Sequence, residues 1–384
     1  MRRLSAAPLR QRTIRFADTD VPYRYGIDCA EAVAAEMLRA CPDAESAICV
    51  VDRRVTDHFT PVRDRLSTRI RVEPFVLDSS EDRKTLAVVQ SVLDFAVARG
   101  ADRRTPVVAM GGGLVGNVAG LASALLFRGT RLIHLPTTPV AAFDSVLSLK
   151  QAVNLAGGKN LCGAFHTPTL IAVDLRWLTT IPRHELATGL AEMAKNVLTV
   201  SPHAEAAFLA AMRILPEDPT AAFEGLCAIG INAKLPFLAQ DPRERGTALV
   251  FEYGHTAGHA VEFLSGGRLS HGEAVAWGML VAARISRDLG YCGDRERERH
   301  RRLLAGLMLS AERARAVLPS DESLRRTLLN DNKRGYLRCG PEELPMVLLR
   351  EGGGAVQGPD GRPLVPVPVD DVVRALRAEL ASAA

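Results

Sequence analysis

The chain has 384 residues, of which 47% are hydrophobic and 24% are charged, and its formal net charge is +4. This length suffices for two domains with sizeable cores, and the composition is that of an ordinary globular protein. So small a net charge gives no reason to expect nucleic acid as a partner. No apolar run approaches the roughly 18 residues that a membrane helix needs, so we expect no membrane partner.

The N-terminal segment and the cysteines indicate the cellular compartment of the protein. The segment MRRLSAAPLRQRTIRF (1–16) is basic but has no apolar core, so it does not predict a secretory signal. The seven cysteines are scattered and form no CxxC pair, a pattern typical of reduced thiols. We therefore expect a cytoplasmic protein.

Strand-like and helix-like segments alternate in the first half of the chain. They are the strands 47–52, 69–78, 106–110 and 131–138, the helices 86–100 and 118–127, and a glycine turn at 111–117. Such alternation predicts a mostly parallel sheet covered by helices. We assign this α/β domain to residues 1–176.

The second half has a helical apolar period instead. The predicted helices are 186–200, 204–215, 223–239, 255–264 and 271–290, and the glycine-rich stretch 351–363 is expected to be a surface turn. We assign residues 177–384 to an all-α domain. A cleft between two such domains would be the expected place for a small ligand.

The segment GGGLVGNVAG (111–120) follows a predicted strand and precedes a predicted helix. Glycine lets the backbone approach a pyrophosphate, and a helix N-terminus attracts an anion, so the segment favours a dinucleotide or phosphate site. A merely tight turn would look the same. Asp52 at a strand end could hold an adenosine ribose, although many strands end in Asp for turn reasons.

Candidate metal ligands lie on three predicted helices. His255 and His259 are four residues apart on one helix, His271 begins the next, and Glu192 lies three residues before Lys195 on another. One Glu and two His form a normal divalent-metal set that leaves coordination positions open. Spacing alone does not choose between His255 with His259 and His255 with His271. Any single His could equally be a hydrogen-bonded helix residue.

Lysine is rare in this chain. Only six of the 48 cationic side chains are lysines: Lys84, Lys150, Lys159, Lys195, Lys234 and Lys333. When most cationic residues of a chain are Arg, the remaining Lys residues are expected where a compact ammonium group is needed, for example among phosphate oxygens and hydroxyls. Together with the glycine segment and the metal set, this favours an NAD- and metal-dependent polyol dehydrogenase or a phosphosugar-processing enzyme.

A series of motifs narrows this choice. In order, GGGLVGNVAG, RG, LPTT, DSVLSLK, KNLCGAF, AEMAK, GHTAGHA and HGEAVAWGM resemble the dehydroquinate-synthase-like sugar phosphate cyclases, over about residues 47–350. The resemblance implies an N-terminal Rossmann-like α/β domain, a C-terminal helical domain, NAD, and a divalent metal for which Zn²⁺ or Co²⁺ is suited. It also implies a homodimer.

The same motifs imply roles for individual residues. The implied metal ligands are Glu192, His255 and His271, with His259 near the substrate. The implied NAD-site residues are Asp52, Glu81, Lys84, Gly111, Gly112, Gly113, Gly116, Asn117, Thr137, Thr138, Asp144 and Lys159. The implied substrate residues are Asp144, Lys150, Asn160, Lys195, Lys234 and Lys333, together with Arg128, which resembles an arginine that reaches the partner subunit's site. The implied catalytic residues are Lys150, Lys195, Glu252 and His259.

Departures from dehydroquinate synthase suggest the substrate. That enzyme typically has Asp where Asn117 stands, and Arg and Asn where Ala248 and Glu252 stand. The missing Arg helps to hold a carboxylate, so we expect a substrate without one, although Arg243 and Arg245 lie nearby. DSVLSLKQAVNL, FEYGHT and DNKRGY instead resemble the subgroup that cyclises glucose 6-phosphate for aminoglycoside antibiotics. Sedoheptulose 7-phosphate cyclases and dehydroquinate synthase itself remain the alternatives.

Overall fold

The computed structural model describes residues 9–156, 158–307, 309–318, 320–331, 333 and 335–382. The first half of the basic N-terminal segment, and Asn332 and Arg334 of the DNKRGY motif, lie outside the described residues. The chain divides into two compact units. The first holds residues 1–181, 218–227 and 238–243, and the second holds 182–217, 228–237 and 244–384.

The described residues form the following elements. The strands are β1 Arg10–Phe16, β2 Thr19–Gly26, β3 Ser46–Asp52, β4 Arg71–Leu77, β5 Val107–Gly111, β6 Leu132–Pro136, β7 Lys150–Leu155, β8 Gly158–Phe165, β9 Leu170–Asp174, β10 Glu343–Met346 and β11 Val365–Pro368. The helices are α1 Ala30–Ala40, α2 Thr56–Leu66, α3 Leu86–Ala98, α4 Gly113–Leu125, α5 Arg183–Thr199, α6 Glu205–Ile214, α7 Pro219–Gln240, α8 His255–Ser265, α9 His271–Asp288, α10 Asp294–Leu304, α11 Ala311–Val317, α12 Asp321–Leu328 and α13 Val369–Ser382.

The first unit is built on a seven-stranded sheet in the order β1-β2-β9-β6-β5-β3-β4. All neighbouring strands are parallel except β1 and β2. Every residue of β3 is buried, and its side chains alternate between two cores. Cys49 and Val51 join the core formed with α1 and α2, while Ile48 and Val50 join the core formed with α3 and α4. The predicted α/β class is confirmed, and β3 explains why: strands buried on both faces read as continuous apolar runs.

Helix α4 begins earlier than the sequence predicted. The glycine turn was expected to reach Asn117, but α4 starts at Gly113 and ends at Leu125, short of the expected residue 127. The Gln151 side chain packs directly against this helix at Gly120, where an added Cβ would lie 2.1 Å from the Gln151 Oε1 atom. Beyond the helix, Phe127 and Arg128 both have positive φ angles, of 52° and 68°.

The sequence analysis did not predict several elements of the first unit. They are the N-terminal β1–β2 pair with α1, helix α2, strand β9, and the antiparallel hairpin of β7 and β8. The hairpin carries Lys150, Lys159 and Asn160, so three predicted site residues share one element.

The second unit is largely helical, in agreement with the prediction, and adds a small β10–β11 sheet that was not expected. Helix α9 is its central element, with most of its side chains buried. Two glycines allow the close packing of α9: a Cβ on Gly272 would lie 2.3 Å from the Thr188 Cα atom, and one on Gly278 would lie 1.9 Å from the Gly254 carbonyl oxygen. The glycine-rich stretch after residue 350 consists of turns, as expected.

Helix α7 is long and apolar enough to cross a membrane by length and composition alone. Core helices pass the same test, and just over half of its most apolar window is buried within the protein. All seven cysteines are free thiols.

Candidate active site

The glycine segment of the first unit lies where a parallel strand leads into a helix. Gly111 ends β5, Gly112 precedes the first turn of α4, and a Cβ on Gly112 would lie 3.3 Å from the Thr138 Cγ2 atom. The first N–H groups of a helix lack partners within the helix, so this turn can bind an anion through its backbone. A pocket at this turn is lined by Gly111, Gly112, Gly113, Gly116, Asn117, His134, Ser145, Lys150 and Gln151, among others.

Asn117 and His134 have definite local roles in this pocket. The Asn117 amide donates to the Gly113 carbonyl (2.8 Å) and accepts from the Ala152 N–H (2.8 Å), so it ties α4 to β7. His134 is buried on β6, and burial lowers its pKa to about 4, which keeps the ring neutral. His134 lies immediately before the quoted LPTT motif and is not among the residues that the sequence predicts for a site. Its position in the lining of this pocket makes it a candidate site residue.

Asp52 lies at the C-terminal end of β3. Its carboxylate accepts hydrogen bonds from the Arg54 backbone N–H (2.9 Å) and the Ser79 hydroxyl (2.5 Å). Burial alone would raise the Asp52 pKa, but these bonds and the Arg54 guanidinium outweigh it and lower the pKa. The carboxylate is therefore ionised and can accept from a ribose hydroxyl.

A second set of predicted residues meets at the β7–β8 hairpin. The Lys84 ammonium donates to the Asn160 Oδ1 atom (2.5 Å), and the Lys159 Nζ atom lies 3.4 Å from the Glu81 Oε1 atom. Asn154 joins the two pairs, because its amide donates to Glu81 (2.8 Å) and accepts from the Asn160 N–H (3.0 Å). The sequence assigned Asn160 to the substrate and the other three predicted residues to NAD. The structure brings all four into one cluster.

The remaining predicted residues of the first unit lie near β6. Thr137 is buried just after the strand, and the Thr138 hydroxyl accepts from the Ala141 N–H (3.2 Å). Asp144 lies in the helical turn Ala141–Ser145. Arg128 is exposed, as a residue that reaches another subunit would have to be.

Three side chains meet in the second unit. Glu192 comes from the middle of α5, His255 is the first residue of α8, and His271 is the first residue of α9. One ligand atom from each lies within 4.8 Å of the others. The Glu192 Oε1 atom is 3.5 Å from the His255 Nε2 atom and 3.3 Å from the His271 Nε2 atom.

The helix starts fix both histidines. Gly254 precedes α8 with a φ of 79°, a left-handed conformation that glycine adopts without strain. Ser270 and Glu273 form a reciprocal capping box that fixes where α9 begins. The His255 Nδ1 atom lies 3.2 Å from the Tyr253 carbonyl oxygen, so Nδ1 carries the proton and Nε2 faces Glu192.

The charges around Glu192 suit a cation. The buried Lys195 ammonium contacts the Glu192 carboxylate. Burial would raise the Glu192 pKa, but Lys195 and the two histidines outweigh it and hold the pKa well below its usual value. Burial would likewise lower the His271 pKa, but hydrogen bonds to Glu192 and Glu262 raise it to about 10. The two carboxylates thus favour positive charge between them, whether as a proton on the imidazole or as a metal ion.

These residues fit a divalent metal. Two imidazole nitrogens and a carboxylate oxygen converge on one point, where their lone pairs repel one another unless a cation lies among them. Such a set leaves positions open for oxygen atoms of a substrate, as in catalytic zinc sites. His259 is not a member of the set. Its ring centroid lies 5.1 Å from that of His255 and 6.1 Å from that of His271.

His259 instead faces a second charged group. Its Nδ1 atom is 3.8 Å from the Asp331 Oδ2 atom, and the Lys333 ammonium lies 2.8 Å from the Asp331 Oδ1 atom and 3.6 Å from the Glu252 Oε2 atom. Lys333 is almost fully buried. Burial would raise the Asp331 pKa, but Lys333 and His259 outweigh it and lower the pKa. Burial lowers the His259 pKa.

The last two predicted lysines of this unit share one aromatic ring. The Lys195 and Lys234 ammonium groups lie 5.9 Å and 5.2 Å from the centroid of Phe251. Cation–π contact offsets part of the cost of burying both cations. The described part of the second unit thus brings Lys195, Lys234 and Lys333 toward the segment that carries Phe251 and Glu252.

Sequence reasoning missed two acidic residues of this unit. Asp331 begins the quoted DNKRGY motif, and Glu262 lies two residues after the quoted GHTAGHA motif. Glu262 lies seven residues after His255, a spacing that puts both on one face of a helix. That spacing was available in the sequence, but the partner of Glu262 is on another helix.

Most of the chain matches the models of a known enzyme family. Residues 74–188 match the family model of the 3-dehydroquinate synthase N-terminal domain, and residues 189–334 match that of the C-terminal domain. Together these matches cover more than half of the chain, and they meet between residues 188 and 189, within α5. They confirm the resemblance to the dehydroquinate-synthase-like sugar phosphate cyclases.

Within this class the chain belongs to the 2-deoxy-scyllo-inosose synthase family. It is 41% identical over 376 residues to the 2-deoxy-scyllo-inosose synthase of Streptomyces paromomycinus, covering 96% of this chain and 95% of that protein. A crystal structure of 2-deoxy-scyllo-inosose synthase with carbaglucose-6-phosphate, NAD⁺ and Co²⁺ has a TM-score of 0.84 and 32% identity, and covers 96% of this chain and 100% of that one. The NAD⁺- and Zn²⁺-bound 2-epi-5-epi-valiolone synthase of Streptomyces hygroscopicus subsp. jinggangensis 5008 has a TM-score of 0.78 at 22% identity, and covers 97% of this chain and 100% of that one. The latter likeness shows the fold alone.

Proposed function

We propose that this protein converts D-glucose 6-phosphate into 2-deoxy-scyllo-inosose and inorganic phosphate, in the biosynthesis of a 2-deoxystreptamine aminoglycoside antibiotic. The protein is thus a carbon–oxygen lyase acting on a sugar phosphate. The carbocycle and phosphate together contain every atom of the substrate, so the reaction needs no net oxidant and no water. An enzyme that uses NAD for this conversion must return the hydride that it takes.

Two cofactors follow from the described groups. The glycine turn at the start of α4, with Asp52 at the end of β3, would hold NAD. Glu192, His255 and His271 would hold Zn²⁺ or Co²⁺, ions that accept this mixed nitrogen and oxygen set. When bound, NAD supplies reversible hydride transfer and the metal polarises a substrate oxygen. The solved relative that holds NAD⁺, Co²⁺ and a glucose 6-phosphate analogue together supports this pairing.

Glu252 is the residue that we assign to proton transfer. After phosphate leaves C6, ring opening removes a proton from the C1 hydroxyl group, and attack of the enolate carbon C6 on the C1 aldehyde returns a proton to that oxygen. Glu252 lies three residues before His255 and 3.6 Å from the Lys333 ammonium, so its carboxyl group stands beside a cation and the metal-binding helix. A carboxyl group can deliver and recover a proton, whereas the amide typical of dehydroquinate synthase at this position cannot.

The lysines would bind the oxygen atoms of the substrate. Lys195, Lys234 and Lys333 are buried ammonium groups in the unit that holds the metal set, and each can donate to several oxygens. Lys150 in the first unit, with exposed Arg128 from a partner subunit, would bind phosphate. This role of Arg128 requires a homodimer, and the reduced thiols agree with a cytoplasmic location.

The observation that carries the proposal is the carboxyl group of Glu252 beside Lys333, in the unit that presents the Glu192, His255 and His271 set. The direct test supplies glucose 6-phosphate and sedoheptulose 7-phosphate in parallel, with NAD and Co²⁺, and identifies the products. We expect 2-deoxy-scyllo-inosose and phosphate from the first. Turnover of sedoheptulose 7-phosphate alone would favour the valiolone-forming cyclases instead.

A further inference from the structure

His271 lies between two carboxylates that come from different helices. Its Nε2 atom is 3.3 Å from the Glu192 Oε1 atom on α5, and its Nδ1 atom is 2.9 Å from the Glu262 Oε2 atom on α8. The Glu262 side chain is 11% exposed, so its charge is poorly screened by water. A carboxylate at Nδ1 requires a proton on that nitrogen, and this leaves Nε2 as the atom that faces Glu192.

Glu262 acts on the site through the His271 ring rather than by coordination. Its carboxyl group accepts from Nδ1, which fixes the ring and makes Nε2 a stronger ligand atom.

We propose that Glu262 is a positioning residue for the metal, which sets the tautomer of His271 and strengthens its Nε2 atom as a ligand. This inference rests on the proposed function, because it takes Glu192, His255 and His271 as the ligands. It adds a residue outside that set. Carboxylates that hold a ligand histidine in this way typically contribute 10- to 100-fold to metal affinity.

The two histidines differ in a way that makes the proposal testable. Nδ1 of His255 faces the Tyr253 carbonyl oxygen at 3.2 Å, whereas Nδ1 of His271 faces the Glu262 carboxyl group at 2.9 Å. If Glu262 served only to join α8 to α9, a neutral side chain that accepts the same hydrogen bond would replace it. Glu262→Gln is that replacement, since the glutamine carbonyl oxygen can accept from Nδ1 while the charge is lost.

The experiment measures the affinity of the metal-depleted protein for Zn²⁺ and for Co²⁺ by competition with a chromophoric chelator, without substrate. We expect Glu262→Gln to bind both ions about 10- to 100-fold more weakly than the wild type. Glu262→Asp keeps a carboxyl group, but its shorter side chain holds that group farther from Nδ1 of His271. Its metal affinity should lie between those of the wild type and Glu262→Gln. Glu298→Gln is the matched control, because it removes the same charge from the exposed face of α10 and should leave the affinity unchanged. Circular dichroism would establish that each variant is folded.

Three outcomes separate this inference from the proposed function. Weaker binding in Glu262→Gln, with an altered visible spectrum of the Co²⁺ form, supports the inference. Wild-type affinity in both Glu262 variants, while His271→Ala loses the metal, overturns it and leaves the ligand assignment intact. Failure of the wild type itself to bind either ion overturns the ligand set and, with it, the role of Glu262.

Discussion

Glu252 is the residue to which we assign proton transfer. Its Oε2 atom lies 3.6 Å from Lys333, a buried cation that Asp331 also contacts at 2.8 Å. The Glu252→Gln variant keeps the shape and hydrogen bonding of the side chain but cannot carry a titratable proton. We expect turnover to fall about 100-fold or more, as when a general acid–base is removed.

Metal content and NAD binding are the controls for this variant, and both should match the wild type. The pH dependence of turnover reports on the group that transfers the proton, and Glu252→Gln should lose the limb of the profile that depends on a carboxyl group. A normal rate with an unchanged pH profile would mean that Glu252 only orients a sugar hydroxyl and that another group transfers the proton.

Asp331 illustrates a buried charge whose removal should be costly. Its side chain is 4% exposed, and it contacts Lys333, whose side chain is 1% exposed. Asp331→Asn leaves this ammonium without its closest negative charge, so we expect the free energy of unfolding to fall by about 3 kcal/mol. Asp294→Asn breaks ion pairs of a 79% exposed carboxylate and should leave the free energy of unfolding nearly unchanged.

Urea titration of the two Asp variants measures this difference. Equal, small effects of both substitutions would show that Glu252 or water compensates the Lys333 charge without Asp331.

At the scale of the elements, the close approach of α9 to α5 determines where His271 lies. A Cβ on Gly272 would meet the Thr188 Cα atom at 2.3 Å, and both atoms belong to rigid helices. Gly272→Ala should therefore push the two helices apart, destabilise the protein by about 1–3 kcal/mol, and reduce metal content. Gly293→Ala is the control, because its nearest neighbour is a side-chain oxygen at 3.7 Å. Unchanged metal content in Gly272→Ala would contradict the view that this contact positions His271.

The elements also show what can be predicted from the sequence. Strand β3 and helices α8 and α9 were predictable because each has a sustained apolar pattern. The start of α4 was not, because the glycines that permit its close contacts look like a turn. The β7–β8 hairpin was also missed, although it carries Lys150, Lys159 and Asn160.

The choice of the candidate metal ligands also could not be predicted from the sequence. The sequence offered His255 with either His259 or His271, since spacing alone does not choose between a second ligand on the same helix and one that begins the next helix. The choice depends on how α8 and α9 place their first residues beside Glu192 of α5. Glu262 escaped notice for the same reason, because its partner is nine residues away on another helix. Packing between helices is not encoded in the spacing within any one of them.

At the scale of the whole molecule, we expect catalysis to require a dimer. Arg128 is exposed and follows a residue with positive φ, and the resemblance assigns it to the partner's phosphate site. Arg128→Ala and Lys150→Ala should each be nearly inactive alone. Their mixture should regain activity, because a heterodimer would contain one site with both intact residues.

Subunit exchange in this mixture can be verified by native mass spectrometry of differently tagged chains. Proven exchange without any recovery of activity would contradict the role of Arg128 across subunits.

We expect NAD in this protein to take a hydride from glucose 6-phosphate and to return it within the same turnover. The most direct test follows phosphate release and NADH absorbance together during turnover of glucose 6-phosphate, with NAD far below the sugar concentration. We predict that phosphate release requires NAD and continues far beyond one equivalent of it, without lasting growth of NADH, while 2-deoxy-scyllo-inosose forms in equal amount. A different result would contradict the return of the hydride. If NADH accumulates in step with turnover and the reaction stops when NAD is exhausted, the protein is a dehydrogenase.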